Sequence, residues 1–265
     1  MPPSPGFTMD SSINLKPLKV LKGIKEPNGE VNDISIDGII HKVFRTYCKT
    51  EHTDAYSHLN NAAFSLYFAQ PANELLSAFG LNHTRLFSKK ESVFLKKATY
   101  KFTTQVVGDE KLEVMAGFNP SDEQDFQYKV KSTLFAGSKK AAEANFKHFY
   151  GNAQKMFEKV SPWYYPFLFD KAREKMQKYL SLSDEKLRDN NLGLVVVEAS
   201  FDNIKSLDPK EDVYIQTTLK KERNSFYMLH EMYQHGLAGK AKTKHALINI
   251  DEGKPLRLYN YVGKL

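Results

Sequence analysis

Apolar and polar positions alternate through HKVFRTYCKT, setting Val43, Arg45 and Tyr47 on one face and Phe44, Thr46 and Cys48 on the other, as in a half-buried strand. A polar loop, TEHTDAYSHLNN, follows, and the period then changes. AAFSLYFAQPANELLSAFGL places Phe64, Tyr67, Phe68, Leu75, Leu76 and Phe79 on one helical stripe that closes at Gly80, with Pro71 expected to kink or break it. VFLKKATYKFTTQVV, KLEVMAGF, DFQYKVKSTLFAG and AAEANFKHFY read as four strands separated by Gly, Asp, Pro or Ser turns. A strand, a long helix and a run of strands make an α+β unit. The plan recurs: WYYPFLFDKAREKMQKYLSL reads as a helix, and LGLVVVEASFDNI, EDVYIQTTLKK, SFYMLHEMYQHG and TKHALINI read as strands. Sliding the chain on itself sets Phe68 on Phe169, Leu81 on Leu182, Ala98 on Ala199, Tyr100 on Phe201 and Val114 on Ile215, an internal repeat by pattern rather than identity. The repeat leaves one strand short. Either the second unit lacks its own first strand, or GNAQKMFEKV supplies an irregular one. The expected organisation is an irregular leader at 1–38, a first unit at 39–150 holding the polar loop, and a second unit at 151–265.

With 41% hydrophobic and 26% charged residues, the 265-residue chain can bury a sizeable core. Thirty-eight Lys and Arg against 31 Asp and Glu give +7, spread along the chain, which favours anionic ligands without naming one. Cys48 is the only cysteine, so no disulfide framework or multi-thiolate metal site is available, and a reducing cytoplasm is the expected home. No apolar run is long enough to span a bilayer, and the start has no signal-type stretch, so a soluble, non-secreted protein is expected. The histidines of HEMYQH, His230 and His235, have the wrong spacing for a helical zinc pair. No G-x-S-x-G, phosphate-loop or dinucleotide fingerprint occurs, and no RNA-binding strand signature accompanies the lysines. Lys89, Lys90, Lys96, Lys97, Lys139, Lys140 and the stretches at 219–223 and 239–245 could receive the phosphates of coenzyme A or an acidic carrier protein, but most of them read as solvated surface. Trp163 reads as a seal between units and Cys48 as a buried strand residue.

TDAYSHLNN concentrates an acid, a tyrosine, a serine, an imidazole and two amides ahead of a helix. Capping and turn formation explain Asp, Ser and Asn in such a place. The same residues also suit chemistry. Asp54 and His58 can act as general base and orienting partner, while Asn60 and Asn61 stand where helix-start N–H groups can hold an oxyanion.

At these residues TDAYSHLNNAAFSLYF resembles the active-site segment of hotdog-fold acyl thioesterases: Asp54, His58, Leu59, Asn60 and Asn61 match the family pattern position by position. The resemblance continues through the helix, Gly80 and the GDEKLEV turn, and more faintly over 160–258, where VVVEASFD with Glu198 is similar to the family's second strand. It implies a tandem, or double, hotdog, each unit a long helix wrapped by a curved antiparallel sheet. It also implies hydrolysis of acyl-CoA or acyl-carrier-protein thioesters in fatty acid metabolism, with no metal or cofactor. Asp54, as base or as nucleophile, His58, Asn60 and Asn61 would be catalytic, and Tyr56, Ser57 and Glu198 would contact substrate. Two departures stand out. Tyr56 occupies a position where plant-type members often carry Asn, and Phe68–Ala72 replaces the helix acid and Arg of many bacterial members. In the second unit Lys155, Lys159, Ser161 and Pro162 fall against Asp54, His58, Asn60 and Asn61, so that unit is expected to have lost the catalytic set. A hydratase or dehydratase of the same fold, and a non-catalytic acyl-thioester-binding scaffold, are the competing readings. No nucleic-acid partner is expected, and further association as a homo-oligomer is left open.

Overall fold

A computed structural model of the chain describes residues 8–81, 86, 91–118, 127–152, 160–222, 225–257 and 261. The alternating runs become strands because one face of each can be buried against a helix. β4 (Glu91–Phe102), β5 (Lys111–Phe118), β6 (Gln127–Ala136) and β7 (Lys139–Asn152) form one antiparallel set, and β8 (Leu192–Asn203), β9 (Val213–Lys221), β10 (Phe226–Tyr233) and β11 (Leu237–Asn249) form another. β10 shows the cause most simply: buried and half-buried residues alternate along its whole length. β3 (Ile39–Tyr47) pairs with β5, and β2 (Glu30–Ile36) pairs with β3. β12 (Pro255–Leu256) adds to β11.

All strands among the described residues belong to one twelve-stranded sheet, joined where β4 pairs with β8. From that seam the order runs β4-β7-β6-β5-β3-β2 one way and β8-β11-β10-β9-β1 the other. At the seam Ala98 faces Phe201 and Tyr100 faces Ala199, the crosswise pairing that a two-fold relation between the two strands requires. Lys96 is bulged out of β4 and Val197 out of β8, again at corresponding places.

From Thr8 on, the leader is not irregular. Its residues form β1 (Thr8–Leu15), the short helix α1 (Pro17–Leu21) and β2. β1 pairs with β9 along its full length, setting Ile13 beside Ile215, just as β3 sets Phe44 beside Val114 of β5. The edge position beside β9 is therefore filled by the N-terminal segment; of GNAQKMFEKV, the other candidate, residues 153–159 lie outside the described residues. An open strand edge seeks a partner, and removal of residues 1–15 would expose β9. We expect that truncation to lower the melting temperature by several degrees and to promote self-association, as measured by thermal denaturation and size-exclusion chromatography.

The helix α2 (Phe64–Ala78) runs without interruption through Pro71, so the expected break does not occur. It ends in a Schellman arrangement: the Leu81 N–H bonds the Leu76 carbonyl, the Gly80 N–H bonds that of Ser77, and Gly80 takes φ +77°. α2 packs on β3, β5 and β6, and the second long helix, α3 (Tyr165–Tyr179), packs on β1, β9 and β10. Phe68, Tyr100 and Phe146 meet beneath α2 with ring centroids 5.7 to 5.8 Å apart. Across the seam, Tyr100 meets Phe201 edge-on at 5.7 Å, and Phe201 meets Phe169 of α3 at 5.8 Å. One aromatic layer thus continues beneath both helices. Among the described residues, no helix is long and apolar enough to cross a membrane.

Candidate active site

The polar loop is held at its start by a hydrogen-bond relay. The buried His52 lies in a single 3-10 turn, Thr50–His52, and its Nε2 sits 2.7 Å from the Lys25 carbonyl, which can only accept. Burial lowers the His52 pKa, so the ring is neutral and carries its proton on Nε2. Nδ1 therefore accepts from the Tyr67 hydroxyl at 2.9 Å, and that oxygen accepts the Lys49 N–H at 2.9 Å. The relay ties leader, loop and α2 together. Tyr67→Phe would leave Nδ1 and the Lys49 N–H unpaired, and we expect a loss of about 1–3 kcal/mol in chemical denaturation.

Asp54 then folds the loop back on itself. Its Oδ1 accepts the Tyr56 N–H at 2.8 Å and the His58 N–H at 3.1 Å, while its own N–H bonds the His58 carbonyl at 2.7 Å. Its second carboxylate oxygen has no partner among the described residues. Ser57 sits at the tip with φ +60°, its side chain exposed. His58 forms an isolated bridge with Val107, and its ring stacks with that of Tyr56 at 6.4 Å. Asn60 closes the loop as a cap: its Oδ1 accepts the Ala62 N–H at 2.7 Å and its carbonyl accepts those of Ala63 and Phe64. The Asn61 N–H has no acceptor among the described residues.

Asp54, Tyr56, His58 and Asn61 line one cleft of about 410 Å³. Its first wall is Leu59, Phe64, Phe102 and Val106, and its second wall is the stretch Gly193–Val197 of β8 with Ile248 of β11. The cleft therefore lies between an element group from each half of the chain. Its size and largely apolar lining suit a small organic group.

The remaining expected site residues are placed elsewhere. Ser57 and Asn60 do not line the cleft. Asn60 is a structural cap whose Nδ2 lies 3.4 Å from the Asp170 carboxylate on α3. Tyr56 lines the cleft with its ring, but its hydroxyl donates to the Leu192 carbonyl at 3.2 Å, and Arg188 lies 5.9 Å from the ring centre. Burial, with Asp184 nearby, pushes its pKa up to about 12, so it stays protonated and acts as a strut from the loop to α4 (Asp184–Asp189) and β8. Glu198 is exposed, opposite Lys101 and Lys244, in a separate cleft. The bulge at Val197 is the reason: one extra residue reverses which side of β8 the following positions face. Of the residues aligned with the motif in the second half, Lys155 and Lys159 lie outside the described residues, and Pro162 opens a turn ahead of α3.

Other candidates settle into structural roles. The Cys48 thiol is fully buried, and burial raises its pKa to about 11. Trp163 packs edge-on against Phe146 at 4.9 Å, and its carbonyl accepts the Ser65 hydroxyl at 2.8 Å. Lys97 pairs with Asp202, Lys140 with Glu143 and Lys240 with Glu231, all on exposed strand faces, while Lys89 and Lys90 lie outside the described residues.

Sequence reasoning did not find the β8 wall, the His52–Tyr67 relay or the polar pair Asp170 and Arg173 on α3. That pair is joined at 2.7 Å and largely buried. Its signal is present in the sequence, as an acid and an Arg one turn apart, but on α3 and not on α2, where the resemblance places such a pair.

A family model described as Thioesterase-like superfamily matches residues 157–260, the half that does not hold the polar loop. No curated protein sequence matches the chain. Among solved structures, the chain is similar to an acyl-ACP thioesterase from Bacteroides thetaiotaomicron, with 9% identity, 77% of this chain and 97% of that one covered, and a TM-score of 0.60. It is similar to a 12:0-ACP thioesterase from Umbellularia californica at 6% identity, 81% and 94% coverage and a TM-score of 0.58. It is also similar to a protein of unknown function with hot dog fold from Alicyclobacillus acidocaldarius at 10% identity, 82% and 94% coverage and a TM-score of 0.52. At these identities the likeness establishes the fold. The second half of the chain thus matches the thioesterase-like superfamily in sequence, and the chain as a whole has the hotdog fold of these structures.

Proposed function

We propose that the chain is a tandem hotdog hydrolase of acyl thioesters, with one working site in the cleft between the polar loop and β8. The observation that carries this reading is the pairing, along one largely apolar cleft, of a carboxylate with one oxygen uncommitted among the described residues and Asn61, in the turn just ahead of α2, whose N–H has no acceptor among them. In the proposed reaction Asp54 takes a proton from water, which attacks the thioester carbonyl. The Asn61 N–H, at the positive end of α2, stabilises the oxyanion, and collapse expels the thiolate, which recovers the proton. Attack by Asp54 itself, through an acyl anhydride that water then opens, uses the same groups. His58 orients the carbonyl end of the substrate. The β8 wall, with Phe64 and Phe102, receives the acyl chain.

The names of two similar structures favour an acyl-carrier-protein thioester as substrate, and a coenzyme A thioester is the alternative carrier. Thiol release from acyl-CoA and acyl-carrier-protein thioesters of graded chain length tests the reading. Saturable release from at least one series supports it and names the carrier. Saturable binding without release would replace it with a non-catalytic thioester-binding protein, and addition of water across an enoyl thioester would replace it with a hydratase.

A further inference from the structure

Beside the cleft lies a second, much smaller space. It has about 30 Å³ of free volume and shares Asn61 and Val196 with the cleft, so it opens close to the proposed oxyanion position. Asp170, Arg173, His230 and Thr243 also line it. That volume admits an atom or two the size of a water oxygen, but no alkyl chain. Asp170 and Arg173 are committed to each other, and Arg173 also bonds Gln177 at 2.5 Å. His230 is not fully committed. It is 1% exposed, its Nδ1 lies 2.8 Å from the hydroxyl of Thr217, which does not line the space, and its Nε2 has no partner among the described residues. A buried ring nitrogen without a partner is unfavourable, and it gains most from a ligand atom that completes its bonding.

We propose that this pouch selects acyl groups bearing a hydroxyl on one of the first carbons beyond the thioester carbonyl, with His230 Nε2 as the group that recognises it. The assignment rests on the thioesterase reading of the cleft. A hydroxyl suits the site whichever tautomer Thr217 imposes, because it can accept from Nε2–H or donate to bare Nε2, whereas a keto oxygen serves only the first. A methylene at the same place would leave Nε2 unpaired, and sites with buried hydrogen-bonding groups reject analogues that lack the partner.

The test compares kcat/KM for unsubstituted, α-hydroxyacyl and β-hydroxyacyl thioesters of matched chain length, at pH 7.5, with wild type and His230→Leu. The expected result is a preference of about tenfold for one hydroxylated series in wild type. In His230→Leu the ratio of kcat/KM between the hydroxylated and unsubstituted series should fall to about one. Equal kcat/KM for all three series in wild type would show that the pouch only holds water and would overturn the assignment, even if His230→Leu fails to fold. Absence of turnover from every series would instead overturn the thioesterase reading on which the assignment rests.

Discussion

Asp54→Asn is expected to reduce thioester hydrolysis by about a thousandfold while leaving the melting temperature nearly unchanged. The two effects separate because the two carboxylate oxygens do different work. Oδ1 holds the loop by accepting the Tyr56 and His58 N–H groups, and the amide oxygen of Asn has the lone pairs to accept both, as a neutral acceptor. The other oxygen has no structural partner among the described residues, and in the variant it becomes an NH₂ group that can neither take a proton nor attack a carbonyl. An alanine would confuse the two roles by releasing both loop bonds. Steady-state thiol release and a thermal melt on the same preparation check the prediction. An active Asp54→Asn protein would move the chemistry away from this loop.

Acidification from pH 7 toward pH 4 is expected to destabilise the fold steeply. His148, His230 and His245 are 2%, 1% and 0% exposed. Burial pushes His148 and His230 down to about 3, and it lowers His245 well below its ordinary 6.5. For His230 and His245 the nearby Arg173 cation adds to the effect, and for His230 Asp170 partly offsets it. The unfolded chain protonates these rings near pH 6.5, but the folded chain does not. Below pH 6.5 the unfolded state therefore binds more protons, and stability falls as pH falls, by about 1.4 kcal/mol per pH unit for each ring, down to about pH 3 for His148 and His230. Above pH 6.5 the three rings are neutral in both states and their contribution is complete. His148 gives the most direct check, since neither of its ring nitrogens has a partner among the described residues. His148→Phe should flatten the dependence of unfolding free energy on pH below 6.5 by about one proton, measured by urea denaturation across that range.

The sequence alone disclosed the parts of this protein that local pattern controls. Strand alternation, the stripe of α2 and its close at Gly80 follow from period and turn chemistry, and all reappear in the structure. The sliding register that set Ala98 on Ala199 and Tyr100 on Phe201 reappears as crosswise pairs at the seam. Within the loop, the turn at Asp54 and the cap at Asn60 were legible because those bonds are local: Asp54 accepts from Tyr56 and His58, and Asn60 from Ala62. What was not legible depends on contacts distant in the chain. β1 reaches across to β9, Tyr56 bonds Leu192, and His52 bonds Lys25. No local period records such pairings. Glu198 was misplaced for a related reason, since one bulged residue at Val197 reverses the side that follows, and a bulge is set by the neighbouring strand. Asn60 shows a different ambiguity: the same amide type serves as cap or as site group, and only the Ala62 N–H bond decides.

The most direct test of hydrolysis in the cleft is a single-turnover incubation of the wild-type protein with the best acyl thioester in heavy-oxygen water, followed by mass analysis of the products. The account predicts one equivalent of free thiol and one of free acid, with heavy oxygen entering during turnover. Recovery of the bound thioester intact and unlabelled from CoA and carrier-protein series alike would contradict it.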